Sequence, residues 1–294
     1  MNVKIKGTTK ICGLFGCPVE HSFSPAMHNA AFSSLGLDYV YVPFSVPPAE
    51  LAQAVRAVRA LNLAGVNVTV PHKEKVIPFL DELTPEAEST GAVNTIVNVK
   101  GKLVGYNTDG AGLLKALEIE AGFLPAGKNA LVLGAGGAAR AVSAALALAG
   151  AREIKIAGRT YGKAAQLARE IAGRTPAKAE AVPWSEQKLG EEIKSVHLIV
   201  QATPVGMYPG EDQCPLFPFE RLGGDHLVCD LIYNPPRTIF LERALAAGAR
   251  VMNGLGMLLY QGVLAFALWT GKNAPVEIMR RALEEQLGKF RKGR

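Results

Sequence analysis

The sequence predicts an α/β protein of two domains, and three observations carry that prediction. Apolar segments of strand length alternate with helical ones through most of the 294 residues. Near the middle, a glycine-rich turn, Gly134-Ala135-Gly136-Gly137, joins an apolar strand to a helix. Beyond residue 254 the alternation gives way to two apolar helical segments. A content of 49% hydrophobic and 20% charged residues, with no long polar tract, supports compact folded domains throughout.

The first domain is read in order. Residues 11–16 form a strand. Residues 24–35 form a helix, with Ser24 as N-cap and Pro25 at its first position. A strand over 39–44 is followed by the Pro47-Pro48 turn and an amphipathic helix over 50–61. Residues 65–70 make a strand stopped by Pro71, with valines on one face and Asn67 and Thr69 on the other. Residues 74–81 and 85–90 are expected to be helical, and 92–99 with 102–106 a hairpin about Lys100-Gly101.

A linking helix over 111–121 leads to the central unit. Its strand ends at Leu133, its helix covers 138–149, and a second strand covers 153–157. A helix over 162–171, strands over 196–202 and 227–232, a helix over 238–247 and a short strand at Val251 complete it. The helices over 256–269 and 275–290 are expected to swing back across the first domain. The predicted domains are therefore 1–110 completed by 255–294, and 111–254. The active site is expected in the cleft between them, where open sheets place ligands.

Gly134, Gly136 and Ala139 fit the pattern G-x-G-x-x-A of a dinucleotide-binding turn. Glycines let the backbone turn tightly and approach a pyrophosphate, and the following helix offers free N–H groups and the positive end of its dipole. The second strand ends in Gly158-Arg159-Thr160-Tyr161-Gly162-Lys163. An NAD site usually carries an acidic residue there, for the ribose 2′-hydroxyl. Arg159, with Lys163 four residues on, suits a 2′-phosphate instead, so the cofactor is read as NADP. The alternative is a solvated basic loop.

Other residues offer chemistry. Lys73 follows the polar-faced strand closely enough to reach a pocket, although a lone lysine is ordinarily a surface residue. Asn94, Thr108 and Asp109 supply polar groups at the ends of the hairpin, where an Asp also serves as a cap. If Lys73 and Asp109 meet, they can share proton work. Ser22 and Ser24 put two hydroxyls at a helix start, which suits a carboxylate as well as simple capping. Gln261 is a lone amide in an apolar helix and needs partners there, in the protein or on a ligand.

The net charge is +6, from 32 basic and 26 acidic residues. That modest excess suits small anions. The basic residues are scattered apart from the tail ending at Arg294, which reads as a solvated end, so no nucleic-acid partner is expected. Four cysteines show no metal-binding pattern and no secreted-scaffold density; free thiols and no metal are expected. The polar N-terminus lacks a signal-peptide core, and the longest apolar stretch, 255–269, falls short of the roughly 20 residues that span a bilayer. A cytoplasmic protein without a membrane partner is the expectation.

Seven motifs in this order and spacing resemble the shikimate dehydrogenase family over nearly the whole chain. They are Ser22-Phe23-Ser24-Pro25, the run from Gly65 to Lys73, Gly91-Ala92-Val93-Asn94-Thr95, Asn107-Thr108-Asp109-Gly110, Gly134-Ala135-Gly136-Gly137-Ala138, Asp230-Leu231-Ile232-Tyr233 and Asn253-Gly254-Leu255-Gly256-Met257-Leu258. The resemblance implies a substrate domain and a Rossmann-like NADP domain. It implies reversible NADP-linked reduction of 3-dehydroshikimate to shikimate, in aromatic amino-acid (chorismate) biosynthesis, by a monomer or homodimer.

By motif, Lys73 and Asp109 would be the catalytic pair. Ser22 and Ser24 would bind the substrate carboxylate, and Thr69, Asn94, Asp109, Tyr233 and Gln261 its ring hydroxyls. Gly134, Ala135, Gly136, Gly137 and Ala138 would hold the pyrophosphate, and Arg159, Thr160 and Lys163 the 2′-phosphate. Ala202, Thr203, Leu231 and Gly254 would lie by the nicotinamide and its ribose. Two positions depart from the family pattern: Gly158 replaces a frequent Asn, and His72 a frequent aromatic. An NAD-using quinate/shikimate dehydrogenase would share Lys73 and Asp109 but place an acid near Arg159. A non-catalytic sensor of the same metabolites could dispense with one of the pair.

Overall fold

A computed structural model of the chain describes residues 5–292, without the side chains of Arg291 and Lys292. The end of the basic tail thus lies outside the described residues. The chain divides into two compact units, 1–112 with 259–294, and 113–258.

The first unit is built on six strands: β1 (Lys10–Gly16), β2 (Tyr39–Ser45), β3 (Gly65–Val68), β4 (Glu82–Leu83), β5 (Thr95–Val99) and β6 (Lys102–Tyr106). Their order is β2-β1-β3-β5-β6-β4. β1 pairs parallel with β2 and β3, β5 runs antiparallel to β3 and β6, and β4 pairs parallel with β6. Helices α1 (Ser24–Ser34), α2 (Leu51–Ala60) and α3 (Pro85–Thr90) connect them. One core gathers Val55 and Val58 of α2 with Phe15, Val66, Val68, Ile96 and Leu103 of the sheet.

Helix α4 (Asp109–Ala121) leads into the second unit. There the strands β7 (Asn129–Leu133), β8 (Glu153–Ala157), β9 (Lys178–Val182), β10 (Leu198–Gln201), β11 (Leu227–Asp230) and β12 (Arg250–Met252) are all parallel, in the order β12-β11-β10-β7-β8-β9. Numbered within the unit, this is the 6-5-4-1-2-3 order of the doubly wound dinucleotide fold. β7, β10 and β11 are buried at every residue, as helices on both faces of a parallel sheet require. Those helices are α5 (Gly137–Leu148), α6 (Tyr161–Arg174), α7 (Glu186–Ile193) and α8 (Ile239–Ala246).

The chain returns to the first unit within α9 (Leu255–Thr270) and ends in α10 (Val276–Lys292). In the first unit the Trp269 indole donates to the Ile96 carbonyl at 3.0 Å, which ties α9 to β5.

Four expectations need correction. Ser24 is not the N-cap of α1: Phe23 holds that position without a side-chain cap, and Ser24 is the first helical residue, with its side chain buried. Residues 74–81 are not a helix but turns around one 3₁₀ turn, Ile77–Phe79. Pro78 lacks an N–H, and its ring excludes a helical carbonyl four residues earlier. β3 stops at Val68, and both of its faces are buried, whereas Val70 is 68% exposed. Finally, β4, β9 and α7 lie in segments where no element was expected.

Candidate active site and dinucleotide site

Sequence-distant segments converge in the first unit. Lys73 sits in the turn after Pro71, and its carbonyl accepts from Val93 N at 2.8 Å, which fixes that turn against the residues leading into β5. Asp109 opens α4, so its carboxylate lies at the positive end of the helix. Lys73 Nζ donates to Asp109 Oδ2 at 2.5 Å, with the lysine side chain one-fifth exposed and the carboxylate nearly buried.

Asn94 organises this pair. Its Nδ2 donates to Asp109 Oδ1 at 2.8 Å and to Thr108 Oγ1 at 2.9 Å, and Gln261 Oε1 lies 3.5 Å away. Its Oδ1 accepts from Thr108 N at 2.7 Å. Asp109 N donates to Asn107 Oδ1 at 3.1 Å. Lys73, Asp109, Asn94 and Gln261 are therefore neighbours. A carboxylate held by hydrogen bonds on one oxygen and by a lysine on the other is pre-oriented.

Ser22 and Ser24 also meet: Ser22 Oγ accepts from Ser24 N at 3.3 Å. Ser24 hydrogen-bonds the Tyr41 phenol, whose pKa burial pushes well above the ordinary value, with Cys12 adding to the rise. Tyr41 in turn donates to Asn67 Oδ1 at 2.8 Å, and Asn67 Nδ2 donates to the Asn94 carbonyl at 3.2 Å. A continuous chain of bonds thus runs from the two serines to the lysine–carboxylate pair. Tyr41 and Asn67 were not among the expected site residues. Asn67 carried a signal as a polar residue on β3, two places before Thr69; nothing local marks Tyr41. Thr69 is tied through its backbone N to Phe15 O at 2.8 Å, and its hydroxyl makes no hydrogen bond among the described residues. His72 is fully buried, with Nε2 2.7 Å from Val46 O, which suits a structural ring.

Tyr233 belongs to the second unit, after β11, and burial raises its phenol pKa. In that unit Gly134 ends β7 at φ +125°, where only glycine is at ease. A Cβ there would lie 3.0 Å from Ala202 O and 3.4 Å from the Thr203 methyl, so the turns after β7 and β10 abut. This is where the strand order reverses, the point at which such sheets bind ligands. The turn after β10 is gripped by buried Gln201, whose Oε1 accepts from Thr203 N at 2.5 Å and whose Nε2 donates to Val205 O at 3.1 Å. Gln201 too went unmarked in the sequence. Gly254 packs directly on the Leu231 carbonyl.

Gly136 caps α5 without any side-chain bond, so the first N–H groups of Gly137 and Ala138 remain open to an anion. Ala135 lies under the buried Gly158. Thr160 caps α6, again without a side-chain bond. Arg159, Thr160 and Lys163 are all exposed, and neither basic side chain is paired among the described residues. An uncapped helix behind a glycine turn, with two free cations at the next strand end, fits a phosphorylated dinucleotide. Among the described residues no group of three His, Cys, Asp or Glu could hold a metal ion. All four cysteines are free thiols.

The reversed strand order and the open glycine turn define an α/β protein of the dinucleotide-binding class. Comparison with known proteins narrows the class. Residues 14–96 match the shikimate dehydrogenase substrate binding domain, 120–207 shikimate / quinate 5-dehydrogenase, and 254–284 the shikimate 5′-dehydrogenase C-terminal domain. A shikimate dehydrogenase (NADP(+)) of Desulforamulus reducens is 60% identical over 97% of this chain and 98% of its own. A shikimate dehydrogenase solved with NADP+ superposes with a TM-score of 0.91 at 45% identity, over 97% of this chain and 98% of that one. A shikimate 5-dehydrogenase from Listeria monocytogenes, solved with shikimate and NAD, gives 0.90 at 42% identity, over 96% and 98%. The chain belongs to the shikimate dehydrogenase family.

Proposed function

We propose that this protein reduces 3-dehydroshikimate to shikimate reversibly, with NADPH and NADP, as a step of aromatic amino-acid biosynthesis. The observation that carries the mechanism is the 2.5 Å contact between Lys73 Nζ and Asp109 Oδ2 within a buried amide network. In the reductive direction the Lys73 ammonium polarises the substrate carbonyl and donates a proton to the developing alkoxide. In the oxidative direction Lys73 Nζ takes up the proton of the reacting hydroxyl. Asp109 holds the lysine in place and accepts from a ring hydroxyl, and Asn94 and Gln261 orient the same ring. Ser22 and Ser24 bind the carboxylate, and Thr69 and Tyr233 complete the set of hydroxyl contacts.

When bound, the nicotinamide supplies the hydride acceptor or donor. Gly134 to Ala138 hold its pyrophosphate, Arg159, Thr160 and Lys163 the 2′-phosphate, and Ala202, Thr203, Leu231 and Gly254 the nicotinamide end. The curated relatives are NADP(+) enzymes, although the Listeria relative was solved with NAD. Arg159, where an acid would favour NAD, supports NADP. The substrate domain is proposed as 1–110 with 255–294, and the NADP domain as 111–254. A cytoplasmic monomer or homodimer with no nucleic-acid partner completes the proposal. Four free thiols, a scattered charge of +6, and no helix among the described residues long and apolar enough to cross a membrane support it.

The test follows nicotinamide absorbance with shikimate or quinate and either nucleotide. Turnover with shikimate and NADP is expected, and Lys73→Ala should lower kcat by about 10²–10⁴ while the fold survives. A folded Lys73→Ala protein with near-normal turnover removes Lys73 from the mechanism. Preference for NAD or quinate moves the chain to the rival reaction.

A further inference from the structure

We propose that Gly112 is a positioning residue for the Gln261 amide, an inference that rests on the reading of this site as the shikimate site. Asp109 and Gly112 lie three residues apart on α4 and so share a face. A Cβ at residue 112 would lie 2.7 Å from Gln261 N, 2.9 Å from its Cβ and 3.0 Å from its Cα. None of these atoms is the mobile end of a side chain. Relief would therefore require α4 and α9 to move apart at this point. Glycine is a poor helix former, so its place inside α4 needs a reason beyond helix stability, and close approach of a second backbone is one.

The consequence falls on the amide. Gln261 Oε1 stands 3.5 Å from Asn94 Nδ2, at the outer limit of a hydrogen bond. Asn94 Nδ2 is at the same time 2.8 Å from Asp109 Oδ1. A displacement of a few tenths of an ångström takes Gln261 out of reach of this group while leaving Lys73, Asp109 and Asn94 bonded to one another. Gly112 thus sets how far the α9 amide stands from the carboxylate that opens α4. Its effect is on substrate placement rather than on the proton-handling pair.

The experiment measures steady-state kinetics for the wild type, Gly112→Ala, Gln261→Ala and the double variant, with shikimate and NADP. Gly112→Ala is expected to lower kcat/KM for shikimate roughly tenfold, mainly through KM, with KM for NADP unchanged. On the Gln261→Ala background the same substitution should change kcat/KM by less than about twofold, because the group it misplaces is already gone. An equal loss on both backgrounds, or wild-type kinetics, overturns the proposal. A crystal structure of Gly112→Ala should show Gln261 Oε1 further from Asn94 Nδ2, and an unchanged distance overturns it too. If Gly112→Ala does not fold, Gln261→Asn draws the amide back with Gly112 intact and should raise KM for shikimate; an unchanged KM rejects the idea. A wild type inactive on shikimate refutes the functional reading, while the crystal structure still decides the placement of the amide.

Discussion

Arg159 is exposed at the end of β8, unpaired among the described residues, and it forms the C-terminal edge of a buried strand. A free guanidinium has five donors and a fixed fork, so a phosphate gains two charge-assisted bonds there and a hydroxyl gains little. Arg159→Ala should therefore weaken NADP binding about tenfold to a hundredfold and NAD binding less than about threefold, measured by calorimetry. Equal losses for both nucleotides would undo the 2′-phosphate assignment. At this scale the sequence was most readable where a residue type is out of place: a basic residue where an acid is usual, a lone amide in α9. It was least readable for Tyr41. It is buried, and its role lies in a bond to Asn67 across the sheet, with β1 between the two strands, rather than in any local pattern.

The hairpin of β5 and β6 shows an element written plainly into its turn. Lys100 and Gly101 both have positive φ, 53° and 93°, as a tight two-residue connection between twisted strands requires. Lysine occupies that region at a cost that asparagine largely avoids. The turn is held by backbone contacts that do not involve the lysine side chain: Gly101 N donates to Asn98 Oδ1 at 2.8 Å, and Arg59 Nε donates to Gly101 O at 2.9 Å. Lys100→Asn should stabilise the protein by roughly 0.5–1 kcal/mol in urea unfolding, with unchanged m-value. A loss of stability would show that the side chain has an unrecognised role. Other elements were illegible for equally local reasons. β9 reads Lys-Ala-Glu-Ala-Val, with a single β-branched residue, and is an edge strand defined by its neighbour β8. α7 is short and carries Gly190 in its interior, so its burial of Leu189 and Ile193 outweighs its propensity.

At the scale of the whole molecule, pH acts through buried groups outside the proposed proton-handling pair. His28 is fully buried with both ring nitrogens unbonded, stacked on Tyr41 at 4.6 Å. Burial lowers its pKa from 6.5 to about 3. The unfolded chain takes up that proton as pH falls below 6.5 and the native state does not, so the stabilisation is whole above pH 6.5 and is lost progressively towards pH 3. The full loss is about 4–5 kcal/mol at roughly 1.36 kcal/mol per unit. Buried Asp230, in the other unit, works in the opposite sense. Burial raises its pKa from 3.8 to about 6, against bonds from Thr238 and Ile232. Its contribution is present below pH 3.8 and disappears as pH rises through 6. His28→Phe should lose less urea-unfolding stability than the wild type as pH falls from 6.5 to 4, so the two pH curves diverge. Parallel pH curves for the two proteins would show that His28 is not the group responsible.

The path of the chain has a consequence for how the protein is made. One unit is a single uninterrupted stretch, 113–258, while the other is assembled from both ends, 1–112 and 259–294. On a ribosome adding about 5–20 residues per second, the middle of the polypeptide is complete before the part that began first has its last pieces. The unit that starts earliest must wait, with the β5 carbonyl that receives Trp269 still open, for a helix synthesised more than 150 residues later. Nascent chains arrested at successive lengths should acquire protease resistance in the middle before the beginning.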